Sequence, residues 1–339
     1  MNNQTDTVGI AAIGYYIPSR VLTSEEIAQL SNFPVSVFIE KIGMHQKHIA
    51  EVDEHPSDMG VKAALNAIEQ AKILPQEINF IAFCGAGHYD YSFWSPAAKV
   101  QDKIGATNAF AFEVRNFCNG GNLGLHICSN MLLANPDAHY ALVVCSDKLS
   151  VLLNYADKDC LSTFIMADGA AAAVLKKGET TNQILAYHGI TNGKLADYVK
   201  VEGGGTKFFD CKDEYDRNLN YLTVKHPKTL EKIFSEIYLN NYLEVIKTAL
   251  HKSGYSSKDI NFIFTNQVKK KVSNSILQSL GLTEKNTFVS LSEYGHMGAA
   301  DTLFGLAKTL EQNLVKSGNI VVLANSATGF SWAAIVLKY

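Results

Sequence analysis

Six cysteines are spread along the chain, and one of them, Cys118, stands where a thiol could act as a nucleophile. The string around it runs Phe112-Glu-Val-Arg-Asn-Phe-Cys118-Asn-Gly-Gly-Asn-Leu-Gly-Leu. An apolar strand pattern ends, the cysteine sits at the bend, and a helical pattern opens on small residues. A thiol at such an elbow faces the positive end of the helix dipole, which favours the nucleophilic thiolate. Gly120 and Gly121 leave room for a closely approaching backbone and for an incoming acyl group. Local context alone fits a packed, idle cysteine equally well. Cys84 and Cys145 end apolar runs and read as small core residues. No pair has CxxC spacing, and no Cys/His cluster has the spacing of a zinc site. With no P-loop or dinucleotide fingerprint either, no bound metal, nucleotide or redox cofactor is expected.

The elements that would position this cysteine occur twice. Gln76-Glu-Ile-Asn-Phe-Ile-Ala-Phe reads almost like Lys258-Asp-Ile-Asn-Phe-Ile-Phe-Thr. Each follows an amphipathic helical stretch, Met59 to Ile68 in one half and Tyr242 to Leu250 in the other. Each is followed by a second helix ending in glycine, at Gly105 and at Gly281, and then by an apolar strand, Ala109-Phe-Ala-Phe-Glu-Val or Thr287-Phe-Val-Ser-Leu. A further helix and strand come next: Gly120 to Leu133 with Tyr140-Ala-Leu-Val-Val, and Ala299 to Lys316 with Asn319-Ile-Val-Val-Leu. Both halves close on a glycine turn and an apolar run, Asp168-Gly-Ala-Ala-Ala-Ala-Val-Leu and Thr328-Gly-Phe-Ser-Trp. Strands alternating with helices imply parallel sheet segments covered by helices, an α/β class. The repeat divides the chain into an N-terminal half, 1–178, and a C-terminal half, 179–339. A pseudo-twofold axis would relate the helices that open near Cys118 and near His296, so that both point at one shared site. Residues 189–227, with Gly203-Gly-Gly and Phe208-Phe-Asp-Cys-Lys, break the pattern and read as a cap or pocket wall, or as a plain surface excursion.

Composition narrows the function class. The 339 residues suffice for about two domains, and 47% are apolar against 19% charged, which is globular rather than disordered. With 30 basic and 33 acidic residues, the formal charge is −3. Neither nucleic acid nor an anionic membrane is therefore expected as a partner. No apolar run reaches the roughly 20 residues of a membrane span. Met1-Asn-Asn-Gln-Thr carries no secretory signal pattern, so a cytoplasmic enzyme is expected.

These motifs resemble the thiolase superfamily and, within it, β-ketoacyl-acyl-carrier-protein synthase III. The resemblance runs from Ile10-Ala-Ala-Ile-Gly-Tyr-Tyr-Ile-Pro to the C-terminal Gly329-Phe-Ser-Trp. It includes Ile42-Gly-Met-His-Gln-Lys-His-Ile-Ala, the Cys118-Asn-Gly-Gly elbow and both glycine turns. It implies a five-layered αβαβα fold, a homodimer, and acyl transfer through a cysteine thioester. The family's usual His-Gln-Ala-Asn motif here reads Asn266-Gln-Val-Lys, and its Gly-Asn motif reads Gly295-His296. His and Asn have exchanged places, as in thiolases. The second cysteine of those enzymes is missing from the loop Ala324-Asn-Ser-Ala-Thr-Gly-Phe.

By this resemblance Cys118 attacks a thioester carbonyl, His296 manages the thiol proton, and Asn266 donates to an enolate or oxyanion. The backbone N–H groups of Cys118 and Gly329 form a second oxyanion hole. Phe93, Trp94 and His88, on an aromatic loop, are acyl-pocket candidates, in the family sometimes across the dimer. His126 reads as packed. Of the two arginines with which relatives meet coenzyme A, the positions hold Lys41 and Cys160, and the stacking tryptophan's slot holds Val37. Lys269 and Lys271, after Asn266, would attract an acidic carrier protein. The substrate expected is an acyl thioester of phosphopantetheine, on acyl carrier protein or coenzyme A. The expected function is that of a ketosynthase in specialised lipid or polyketide synthesis. A non-condensing acyltransferase to an O, N or S acceptor is the alternative, and a non-catalytic subunit of a heteromeric synthase is a third reading.

Overall fold

The structure, a computed structural model, describes residues 7–209 and 218–339. The expectations that rest on residues 1–6, and the part of the cap reading that rests on 210–217 with Cys211, lie outside them.

Thirteen strands are described: β1 Val8–Tyr16, β2 Arg20–Thr23, β3 Gln46–Ile49, β4 Ile78–Gly85, β5 Phe110–Arg115, β6 Tyr140–Lys148, β7 Asp168–Lys177, β8 Gln183–Thr191, β9 Val199–Val201, β10 Leu222–Val224, β11 Ile260–Thr265, β12 Ile320–Ala327 and β13 Ser331–Lys338. Nine of them run as β11-β12-β13-β8-β1-β7-β6-β4-β5. The row is two wings of matching pattern. In one, β5, β4 and β6 are parallel, β7 is antiparallel to β6 and β1 is antiparallel to β7; in the other, β11 and β12 are parallel, β13 is antiparallel to β12 and β8 is antiparallel to β13. Along the sheet the wings meet between β1 and β8, where Gly9 pairs with Gln183 and the Ile10 N–H donates to the Asn182 carbonyl at 2.8 Å.

Helices fill the layers between and outside the wings. Gly120–Ala134 and Asp301–Glu311 lie centrally, each touching strands of both wings. Pro56–Ala71 and Pro96–Ile104 cover the outer face of the first wing, and Pro227–Lys252 covers the outer face of the second. This is the five-layered αβαβα arrangement expected of the fold. The alanine run of β7 explains how helices press on both of its faces. Ala171, Ala173 and Leu175 belong to the central core, and Ala170, Ala172 and Val174 to the outer one. Small side chains at period two allow close packing on either side. β12 divides in the same way, with Val321 and Leu323 inward and Ile320, Val322 and Ala324 outward.

Two expectations need correction. Thr287 to Ser290 forms no strand, although it follows the position that β5 takes in the other half. The segment lies between a 3-10 turn at Glu284–Asn286 and the short helix Leu291–Tyr294, pairs with none of the described strands, and turns Val289 outward. The helix read from Tyr242 to Leu250 begins at Pro227, a proline at the first helical turn where its missing N–H costs nothing. The described part of 189–227 carries the small β9–β10 pair, and Val199 reaches the wall of the central cavity.

No described helix is long and apolar enough to cross a membrane, and no described cluster of His, Cys, Asp or Glu could hold a metal ion.

Candidate active site

The elbow before the central helix is strained. Phe117 has φ +49, a left-handed value that a bulky side chain rarely adopts, and Cys118 follows it in the 3-10 turn that leads into Gly120–Ala134. The two glycines serve packing above all. A Cβ on Gly120 would come 3.0 Å from the backbone nitrogen of Gly85, and one on Gly121 would come 2.8 Å from the carbonyl oxygen of Ala299. The second contact joins the two halves beneath the site. Asn325 Nδ2 on β12 donates to the Cys118 carbonyl at 2.7 Å, so the elbow is also tied to the opposite wing.

His296 arrives from that opposite half. Its Nε2 lies 3.1 Å from Cys118 Sγ, and its ring is 2% exposed. The backbone around it is clamped: His296 N–H donates to Ile165 at 2.8 Å, and its carbonyl accepts from Ala167 at 2.8 Å. The fully buried Lys47 holds that neighbouring segment, donating to the carbonyls of Phe164 at 2.7 Å and Met166 at 2.6 Å.

The other ring nitrogen reveals a residue to which sequence reasoning gave no role. His296 Nδ1 lies 2.5 Å from Asp301 Oδ2. The carboxylate is buried and also accepts from Met297 N–H at 2.8 Å and Gln267 N–H at 2.7 Å. Burial alone would lower the imidazole pKa, but the Asp301 carboxylate and the Cys118 sulfur together hold it well above its ordinary value. A protonated ring between carboxylate and sulfur is the favoured state. The available signal was an acidic residue opening a helix five positions after the histidine, in Gly295-His-Met-Gly-Ala-Ala-Asp301.

Asn266 follows the end of β11 and is buried. Its Oδ1 accepts from Tyr242 O–H and from Ser326 N–H at 3.0 Å, and its Nδ2 faces Ser326 Oγ at 3.5 Å. Cys118, His296, Asn266 and Ser326 share one cavity of about 390 Å³, with apolar walls that include Met166, Phe234, Val268 and Phe330. Gly329, with φ +134, stands between two lining residues, Thr328 and Phe330.

From this cavity a groove of about 460 Å³ leads outward past Ser162, Leu230 and Phe234 to Val37, Lys41, Lys158 and Lys228. Lys269 lines both spaces. Lys271 does not reach the Cys118 cavity; with Lys41 and Lys270 it lines a more outward groove. Cys160 is buried, its thiol bonded to the Leu222 carbonyl at 3.2 Å and to Asp157 at 3.3 Å.

The aromatic loop is not brought to this cavity within one chain. Phe93 is fully exposed at φ +52, and neither it, Trp94 nor His88 is among the cavity's lining residues. His126 stacks on Tyr187 at 4.5 Å, as a packed residue does.

The chain resembles known proteins along its length. Residues 112–193 match the family described as 3-oxoacyl-[acyl-carrier-protein (ACP)] synthase III, and residues 250–339 match the description of its C-terminal part; together they span just over half of the chain. A β-ketoacyl-[acyl-carrier-protein] synthase III of Rhodospirillum centenum is 28% identical over 334 residues, covering 97% of this chain and 98% of its own. The crystal structure of the 3-oxoacyl-[acyl-carrier-protein] synthase III from Aquifex aeolicus superposes with a TM-score of 0.86 at 22% identity, covering 98% of this chain and all of the other. Xanthomonas campestris OleA, solved with lauric acid and lauroyl-CoA, gives 0.84 at 18% identity over 99% of this chain and 100% of its own.

Proposed function

The chain belongs to the 3-oxoacyl-[acyl-carrier-protein] synthase III family of thiolase-fold acyltransferases, and on that premise we propose that it condenses acyl thioesters through an acyl group carried on Cys118. The observation that carries this reading is the 3.1 Å approach of His296 Nε2 to Cys118 Sγ in an apolar cavity. In the first half-reaction the Cys118 sulfur attacks the thioester carbonyl. The carbonyl oxyanion is received by the N–H groups of Cys118 and Gly329. The carbon–sulfur bond to phosphopantetheine then breaks, and the leaving sulfur takes the Nε2 proton of His296.

In the second half-reaction a malonyl-type thioester enters and loses carbon dioxide. The resulting enolate attacks the acyl carbonyl, and the electron pair of the breaking bond returns to Cys118 sulfur. Asn266 Nδ2 is the group placed to hold the enolate oxygen, and a preorganised donor of this kind is typically worth about 3 kcal/mol. A proton taken from solvent by His296 Nε2 then restores the imidazolium beside the freed Cys118 sulfur. On this reading the halves divide the labour: 1–178 supplies the nucleophile, and 179–339 supplies the histidine and asparagine.

The donor is a phosphopantetheine thioester. Lys269 at the cavity and Lys41, Lys270 and Lys271 beyond it support docking of an acidic acyl carrier protein over habitual use of coenzyme A. A homodimer across the free edge of β5, where Phe110 is 64% exposed, would bring the exposed Phe93 loop toward a partner's acyl pocket. A cytoplasmic setting suits such substrates.

One observation favours a second reading. An imidazole backed by a buried carboxylate is the arrangement that deprotonates a hydroxyl or amine, as in Ser-His-Asp hydrolases. His296 and Asp301 could therefore pass the acyl group to an O, N or S acceptor. Product analysis separates the two. A β-keto product from an acyl donor and a malonyl thioester supports condensation; an ester or amide, with no new carbon–carbon bond, overturns it.

A further inference from the structure

We propose that Tyr242 is a positioning residue that fixes the Asn266 side chain as a hydrogen-bond donor toward the Cys118 cavity. The inference rests on the condensing reading above and adds to it a group that the reaction needs without touching substrate. Tyr242 lies on Pro227–Lys252, is fully buried, and does not line the cavity.

Its hydroxyl donates to Asn266 Oδ1. The N–H of Ser326, on β12, donates to the same oxygen at 3.0 Å and to the Tyr242 hydroxyl oxygen at 2.8 Å. Two donors thus converge on one carbonyl oxygen, which has two lone pairs to receive them. If the amide turned over, its NH₂ would face the Ser326 N–H, donor against donor, in a place that water does not reach. The amide therefore has one orientation, set jointly by the Tyr242 hydroxyl and by a backbone group that cannot rotate away. Burial also keeps the phenol protonated, because it raises the Tyr242 pKa well above its ordinary value.

The consequence falls on the opposite side of the amide. Asn266 Nδ2 meets Ser326 Oγ only at 3.5 Å, and that hydroxyl is already engaged by Tyr238 at 2.5 Å. An N–H of Asn266 is left uncommitted at the cavity wall. A donor held in advance, with its other atoms satisfied, loses nothing to reorganisation when charge develops on a nearby oxygen.

Tyr242→Phe tests this in the full chain, since it keeps the ring and removes only the hydroxyl. Hexanoyl-acyl carrier protein serves as donor and malonyl-acyl carrier protein as acceptor. Rapid-quench intact mass follows the gain and the loss of acyl on the protein as separate rates. The expected result is acylation within about twofold of wild type and transfer slower by about 10- to 100-fold, the range of a lost positioning contact. Asn266→Ala, in which Tyr242 is intact, should show the same split, and the double variant should transfer no more slowly than Asn266→Ala alone. Transfer at the wild-type rate in Tyr242→Phe, equal loss in both half-reactions, or additive losses in the double variant would each overturn the proposal. A wild type that takes up no acyl group refutes the condensing reading, and with it this one; a wild type that acylates beside an unaffected Tyr242→Phe refutes positioning alone.

Discussion

His296 holds Cys118 sulfur on one ring nitrogen and the Asp301 carboxylate, at 2.5 Å, on the other. Asp301 in turn is anchored by two backbone N–H groups from separate segments. The histidine ring therefore has one available orientation and a built-in counter-charge.

Asp301→Asn should expose both properties. Whichever way the new amide faces, its NH₂ meets Met297 N–H or Gln267 N–H, and the imidazolium loses its partner. Cys118 acylation is expected to slow by roughly 10²- to 10⁴-fold. The His296 titration, followed by NMR of labelled imidazole, should move to lower pH than in wild type. An unchanged rate and titration would mean that the carboxylate is only structural.

Lys47 supplies a pH test. Burial lowers its pKa to about 7, while Asp168 opposes the shift. The unfolded chain keeps its ordinary lysine value near 10.4. Between those values the unfolded state binds more protons than the folded one, so this group's contribution to stability rises with pH from about 7 to 10. Lys47→Met leaves the Phe164 and Met166 carbonyls unpartnered and should be less stable by about 1–3 kcal/mol. In urea unfolding at pH 7, 8 and 9 the gap to wild type should widen with pH. A constant gap would show that the amine does not titrate in this range.

The lysine mouth predicts a split between substrates. Lys269→Glu with Lys271→Glu should lower kcat/KM for an acyl group on carrier protein by about tenfold or more at low salt, less at high salt. The same acyl group on N-acetylcysteamine should react as in wild type. Equal losses on both would place the lysines in the chemistry rather than in docking.

Phe110→Glu addresses assembly. A charge on the free edge strand should abolish dimerisation in sedimentation experiments, as edge charges do elsewhere. A monomeric wild type would dismiss the dimer and leave the Phe93 loop without a pocket to serve.

The layered fold was legible because duplication printed the same order of elements twice, strands alternating with helices. The elbow at Cys118 was legible from a strand pattern meeting small residues. Asp301 was not: five residues from His296, at the start of a helix, it gains meaning only when the turn at Gly298 folds it back onto the ring. Tyr242 looked like one more apolar position of an amphipathic helix, since nothing in its neighbours tells that a hydroxyl meets Asn266. Thr287 to Ser290 repeats the pattern of a strand but pairs with none of the described strands, which periodicity does not register. Gly120 and Gly121 read as admitting a backbone and an acyl group; the backbone they admit is the chain's own, at Gly85 and Ala299.

The mechanism requires that the sulfur of Cys118 carry the acyl group. Incubation with hexanoyl-acyl carrier protein, acid quench and peptide mapping by mass spectrometry answers this directly. The peptide holding Cys118 is predicted to gain one hexanoyl mass, removable by hydroxylamine, slowly in His296→Ala and not at all in Cys118→Ala. Acyl mass found on another residue, or equal labelling of Cys118→Ala, would contradict it.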